Sequence, residues 1–64
     1  MTEYYVCYYN DQNGGSREVA IYKCNSAEEA EDLWVKNCNP YCYKIRLAFV
    51  TKDRARMQNF RFGR

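Results

Sequence analysis

The run Glu18-Val19-Ala20-Ile21-Tyr22-Lys23-Cys24 alternates as a strand does, and Ser26-Ala27-Glu28-Glu29-Ala30-Glu31-Asp32-Leu33-Trp34 behind it repeats its apolar residues at helical spacing. This change of period marks a strand handing over to a helix. Ser26 predicts where the helix opens: its hydroxyl can accept from the backbone N–H of Glu29 while the Glu29 side chain reaches back, a reciprocal capping box. The acids of the first turns suit the positive end of the helix dipole. Ala27, Ala30, Leu33, Trp34 and Cys38 make one apolar stripe, and Glu28, Glu31 and Asp32 point away from it. Asp32 and Lys36 form a favourable pair one turn apart. Asn39-Pro40 stops the helix, because the residue before proline avoids the helical region.

Upstream, Tyr4-Tyr5-Val6-Cys7-Tyr8-Tyr9 is aromatic and β-favouring, and Asp11-Gln12-Asn13-Gly14-Gly15-Ser16 is dense in turn formers, so residues 4–24 read as a β-hairpin. Downstream, Tyr41, Tyr43, Ile45, Leu47 and Phe49 alternate with Cys42, Lys44, Arg46, Ala48 and Val50 in the clearest strand pattern of the chain. Residues 51–64 are basic, with Met57, Phe60 and Phe62 interspersed, and read equally as a short helical turn with an extended end or as a fourth edge strand. The expected fold is α+β, a β-β-α-β order in one domain over 1–64. In it a three-stranded antiparallel sheet carries one helix on one face, the third strand lies beside the first, and 51–64 form a basic tail. A chain of 64 residues buries only roughly 60% of its unfolded surface, which leaves little wall for a deep pocket.

A two-residue turn at Gly14-Gly15 would pair odd with even positions and divide the sheet into two faces. Tyr4, Val6, Tyr8, Val19, Ile21, Tyr43, Ile45, Leu47 and Phe49 would then meet Leu33 and Trp34. Tyr5, Cys7, Tyr9, Ala20, Tyr22, Cys24, Cys42, Lys44 and Arg46 would lie opposite. A slip of one residue would exchange these sets in the affected strand. Left open, the second face offers tyrosine planes for stacking bases and cations for phosphate, or a tyrosine- and arginine-rich protein hot spot. Alternatively Met57, Phe60 and Phe62 fold back over it and complete a core.

The net charge of +2 conceals an asymmetry. Residues 1–25 carry Glu3, Asp11 and Glu18 against Arg17 and Lys23, for −1, and residues 26–34 carry Glu28, Glu29, Glu31 and Asp32 unopposed, for −4. Residues 35–50 carry Lys36, Lys44 and Arg46, for +3, and residues 51–64 carry Lys52, Arg54, Arg56, Arg61 and Arg64 against Asp53, for +4. Such a dipole serves recognition more than folding. The chain has no histidine and its only serines are Ser16 and Ser26, so Ser-His and Cys-His nucleophile pairs cannot form. The acids point outward from one helix and do not face each other across a cleft, so the expectation is a protein that is not an enzyme.

Cys7, Cys24, Cys38 and Cys42 invite a zinc site, since thiolate ligands often come in closely spaced pairs such as Cys38 and Cys42. Against this, Cys38 belongs to the helix stripe, and Cys7 and Cys24 are separated by a whole hairpin. Small thiols kept reduced in a cytosolic compartment are the expectation, with no metal or other cofactor. Cys38 and Cys42 also lack the spacing and helix start of a redox pair. No secretory signal is legible at the start, and no apolar stretch reaches the ~20 residues that cross a bilayer. A cytoplasmic monomer or homodimer is expected.

Taken together, the strand ending Glu18-Val19-Ala20-Ile21-Tyr22, the acidic helix with Glu28, Glu29, Ala30, Glu31 and Trp34, the proline and the basic strand with Arg46 resemble the short inhibitor of host RNA polymerase made by T7-like phages. The resemblance spans roughly residues 4 to 49. It implies a non-enzymatic inhibitor seated in the DNA channel of bacterial RNA polymerase, on the jaw of the largest subunit. Arg46 matches one arginine of that family's last strand, and Glu28, Glu29, Glu31 and Asp32 match its acidic helix strip. The chain departs from the family at Ala48, where a second arginine is expected, in its four cysteines and in its basic tail. The leading expectation is therefore a phage-encoded binder of a bacterial host protein, RNA polymerase first, with a defence complex such as CRISPR machinery as a target of the same class. Its binding residues would be Glu28, Glu29, Glu31, Asp32, Lys44, Arg46, Arg54, Arg56 and Arg61. The alternative is direct binding of single-stranded nucleic acid by Tyr5, Tyr9 and Tyr22 with Lys44, Arg46 and the tail arginines.

Overall fold

The computed structural model describes residues 1–13, 15–38 and 44–63. Strand β1 (Thr2–Asn10) leads through a 3-10 turn at Asp11–Asn13 into β2 (Ser16–Cys24), followed by helix α1 (Ala27–Cys38), β3 (Ile45–Thr51) and helix α2 (Arg54–Phe62). The strands form one antiparallel sheet in the order β2-β1-β3. The α+β class, the β-β-α-β order and the seat of the third strand beside the first are thus as the sequence implies. The basic tail resolves into α2.

Side chains alternate across a strand, so adjacent positions of β1 report on opposite faces. Val6 joins Cys24, Ala30 and Trp34 in one apolar cluster, while Tyr5 and Cys7 join Met57 in another. The two helices therefore cover opposite faces of the sheet.

The hairpin is closed by a longer turn than the glycine pair suggests. Asn10 pairs with Ser16, leaving positions 11–15 as the connection. The Asn10 side chain accepts from Gln12 N at 3.0 Å, Asp11 N donates to Lys44 O at 2.9 Å, and Gly15 closes the turn at φ 85°, in the left-handed region that glycine tolerates. An odd number of connecting residues pairs positions of like parity: Tyr4 with Tyr22, Val6 with Ala20, Cys7 with Val19. This corrects the expected division of β2. Ala20, Tyr22 and Cys24 face α1, and Val19 packs on the α2 side.

A second correction lies in β3. Cys7 pairs with Phe49 and Tyr8 with Leu47, so Ala48 is the extra residue of a β-bulge. The bulge resets the alternation. Ile45 and Val50 both pack against the α1 cluster, whereas Phe49 joins Met57 and Phe60 on the α2 side.

In α1 the stripe is buried at Ala30 and Trp34, half-buried at Leu33 and Cys38, and exposed at Ala27. Ser26 Oγ accepts from Glu29 N at 3.1 Å, the first half of the expected capping box, without a returning bond from the Glu29 side chain. Trp34 meets Tyr8 with ring centroids 5.4 Å apart, a tilted contact that adds to its area burial. Helix α2 opens on Asp53, whose side chain accepts from Ala55 N at 3.0 Å and Arg56 N at 3.4 Å. Met57 and Phe60, one turn apart, rest on the sheet. Phe62 does not help to cover it, being 74% exposed. Among the described residues no helix is long and apolar enough to cross a membrane.

Candidate functional site

The two helices set an acidic and a basic cluster on opposite faces of the sheet. Glu28, Glu29, Glu31 and Asp32 are all exposed on α1. Arg54, Arg56 and Arg61 are all exposed on α2. No cavity is found among the described residues.

Three tyrosines and two strand cations of the expected second face do not make an open platform. Tyr5 is buried under α2, where its hydroxyl donates to Glu3 Oε1 at 2.9 Å. That bond, with burial second, holds the phenol proton and raises the Tyr5 pKa. Tyr9 is half-buried, edge-on to Phe60 at 5.3 Å, with the Arg46 guanidinium over its ring at 5.2 Å. Tyr22 lies on the opposite, α1 side, where burial raises its pKa. Lys44 is exposed, and its carbonyl accepts from Asp11. The like-parity register and the cover of α2 together account for the difference from the expected tyrosine plane.

The basic side chains are not equivalent. Arg46 Nε meets Asp11 Oδ2 at 3.1 Å, so the arginine matched to the phage-inhibitor family carries an internal ion pair. Arg17 donates to Phe60 O and Gly63 O, both at 3.3 Å, and stands over the Phe60 ring, capping the last carbonyls of α2. Arg56 lies over Phe49 at 4.3 Å. Phe49 and Phe60 are edge-to-face at 5.4 Å, so Tyr9, Phe60 and Phe49 form a row of rings with guanidiniums along it. Neither this row nor the cap by Arg17 follows from the sequence pattern above. Asp53 as an N-cap, followed by Met57 and Phe60 one turn apart, was the signal for the helix that builds it.

The thiols are dispersed. Cys7 is fully buried on the α2 side and Cys24 on the α1 side, so the sheet separates them. Cys38 ends α1 and is half-buried beside Tyr8. Cys42 lies outside the described residues, and among the described residues no group of three metal-ligating side chains comes together. Burial pushes the Cys7 thiol up, against a smaller opposing pull from Arg56. Burial, then Cys38, pushes Tyr8 up to about 12.

Comparison of the chain with protein-family models, with curated proteins and with solved structures returns no match. The fold is an α+β sheet layered between an acidic and a basic helix, and any function must be argued from those surfaces.

Proposed function

We propose that the protein is a small non-enzymatic inhibitor of phage type that binds a bacterial host protein in the cytoplasm and occludes its nucleic-acid channel, with RNA polymerase as the favoured target. The observation that carries this reading is the segregation of charge: four exposed acids on α1 and three exposed arginines on α2, on opposite faces of one sheet. A channel built to hold nucleic acid has basic walls, and an acidic helix competes for them. The association would be fast and salt-sensitive, because the complementary charges are exposed. The Glu-rich helix between the hairpin and the Arg46 strand, the feature shared with the phage-inhibitor family, supports the same reading.

The test is capture of tagged protein from nuclease-treated bacterial lysate, followed by mass spectrometry. A stoichiometric polymerase complex is expected, and it should be lost when Glu28→Lys and Asp32→Lys are combined. Recovery of no protein partner after nuclease treatment would end this reading.

A further inference from the structure

Helix α2 has an outer surface unlike its flanks. At about 100° per residue, turning Met57 and Phe60 to the sheet puts Ala55, Gln58, Asn59 and Phe62 on the far side. The same geometry sets Arg54 and Arg61 on one shoulder and Arg56 on the other. All seven of these outer and shoulder residues are exposed. Arg17 and Arg46 bond to carbonyls and to Asp11, and Arg56 and Arg61 stand over the Phe49 and Phe62 rings, but Arg54, Arg56 and Arg61 have no carboxylate within ion-pair distance among the described residues.

We infer that α2 is a nucleic-acid-contacting helix that enters the major groove of duplex DNA, with Gln58 and Asn59 at the base edges and the three arginines on the phosphates of the two walls. The groove is about 12 Å wide and admits one helix, and Asn and Gln amides match the adenine edge there. A groove sets its base edges between two rows of phosphates, and α2 sets two amides between the Arg54 and Arg61 shoulder and Arg56 on the other. Arg56 is already oriented by its stack on Phe49, so less side-chain freedom is lost on contact. The acids of α1 do not oppose this. With layers about 10 Å apart, α1 lies about 20 Å from α2, beyond the roughly 8 Å over which exposed charges interact at physiological salt.

This inference uses the opposite face from the acidic helix that carries the proposed inhibitor role, so the two can fail separately. The experiment is fluorescence anisotropy of the intact protein with a labelled short duplex DNA over a salt series. Three phosphate contacts predict a log–log slope near −2.7, which is about a 40-fold loss of affinity from about 50 to about 200 mM salt. Arg54→Gln and Arg61→Gln should each flatten that slope by about 0.9. Gln58→Ala with Asn59→Ala should keep the slope and erase any preference among duplexes of different sequence. Glu28→Lys with Asp32→Lys should keep duplex binding while abolishing polymerase capture. Absence of duplex binding at low salt, or a slope unmoved by both arginine variants, would overturn the inference. Binding of polyglutamate without duplex would overturn it too, and would reassign the helix to an acidic protein.

Discussion

The two sides of the sheet are closed by different chemistry. On the α1 side, Val6, Cys24 and Ala30 are fully buried and Trp34 nearly so, with eight partly buried apolar residues around them among the described residues. On the α2 side, Tyr5, Cys7 and Met57 are buried, with Val19, Phe49 and Phe60 packed against them among the described residues and Tyr9 edge-on to Phe60. The first is an apolar stripe against a sheet. The second is a short helix held by an Asp53 cap, an arginine on its last carbonyls and guanidiniums over rings. Stability therefore resides mainly under α1, and the side with cations ordered for contact is the one with the thinner core. Low local stability is where binding segments are usually drawn from.

The contrast is broken most severely at Trp34. Removing the indole takes away the largest side chain of the α1 cluster, and Trp34→Ala should cost about 3–5 kcal/mol. Domains hold only about 0.05–0.15 kcal/mol per residue in total, so the loss takes a third or more of the stability and the urea midpoint read by circular dichroism should fall steeply. A cooperative urea transition close to that of the parent would show that the α1 side is not the main source of stability. Met57→Ala should cost less, about 2 kcal/mol, at the lower end for such truncations because the site lies at the rim of a thin core. Hydrogen exchange should then report faster opening in α2 with protection of β1 and α1 retained. Equal loss of protection in both helices would erase the distinction between the two sides.

Alkaline titration reads both sides of the sheet. Cys7 and Tyr5 on one side, and Tyr8 and Tyr22 on the other, all hold their protons more tightly when folded. The unfolded chain deprotonates first, so stability is fully present below the ordinary values, 9.0 for the thiol and 10.0 for the phenols, and falls as pH rises through them. The decline should begin with Cys7 on the α2 side and continue toward about 12 with Tyr8 on the α1 side. Tyr8→Phe should blunt the later part, as read from urea midpoints across the range. Midpoints that stay level from neutral pH to that limit would contradict the assignment.

Helix α1 was legible because its signals are local: Ser26 caps it, and Ala30, Leu33 and Trp34 repeat at its period. The sheet order followed from the hairpin. The parity of the hairpin was hidden, because the turn is closed by contacts such as Asp11 N to Lys44 O that join residues far apart in the chain. The bulge at Ala48 was hidden too. The string from Ile45 to Val50 alternates without a break, and only pairing with Cys7 and Tyr8 shows the extra residue. Of the candidate site, the charges could be read but not their availability. Arg17 and Arg46 look like the other arginines until the Phe60 carbonyl and Asp11 are seen to occupy them.

The connection between Asn10 and Ser16 also limits how the gene can change. Adding or removing one codon there would turn every β2 side chain over, sending Ala20, Tyr22 and Cys24 out of the core beneath α1. Changes of two codons would preserve the facing. Descendants of this chain should therefore vary in that loop by even steps, a pattern that sequencing of close variants can reveal.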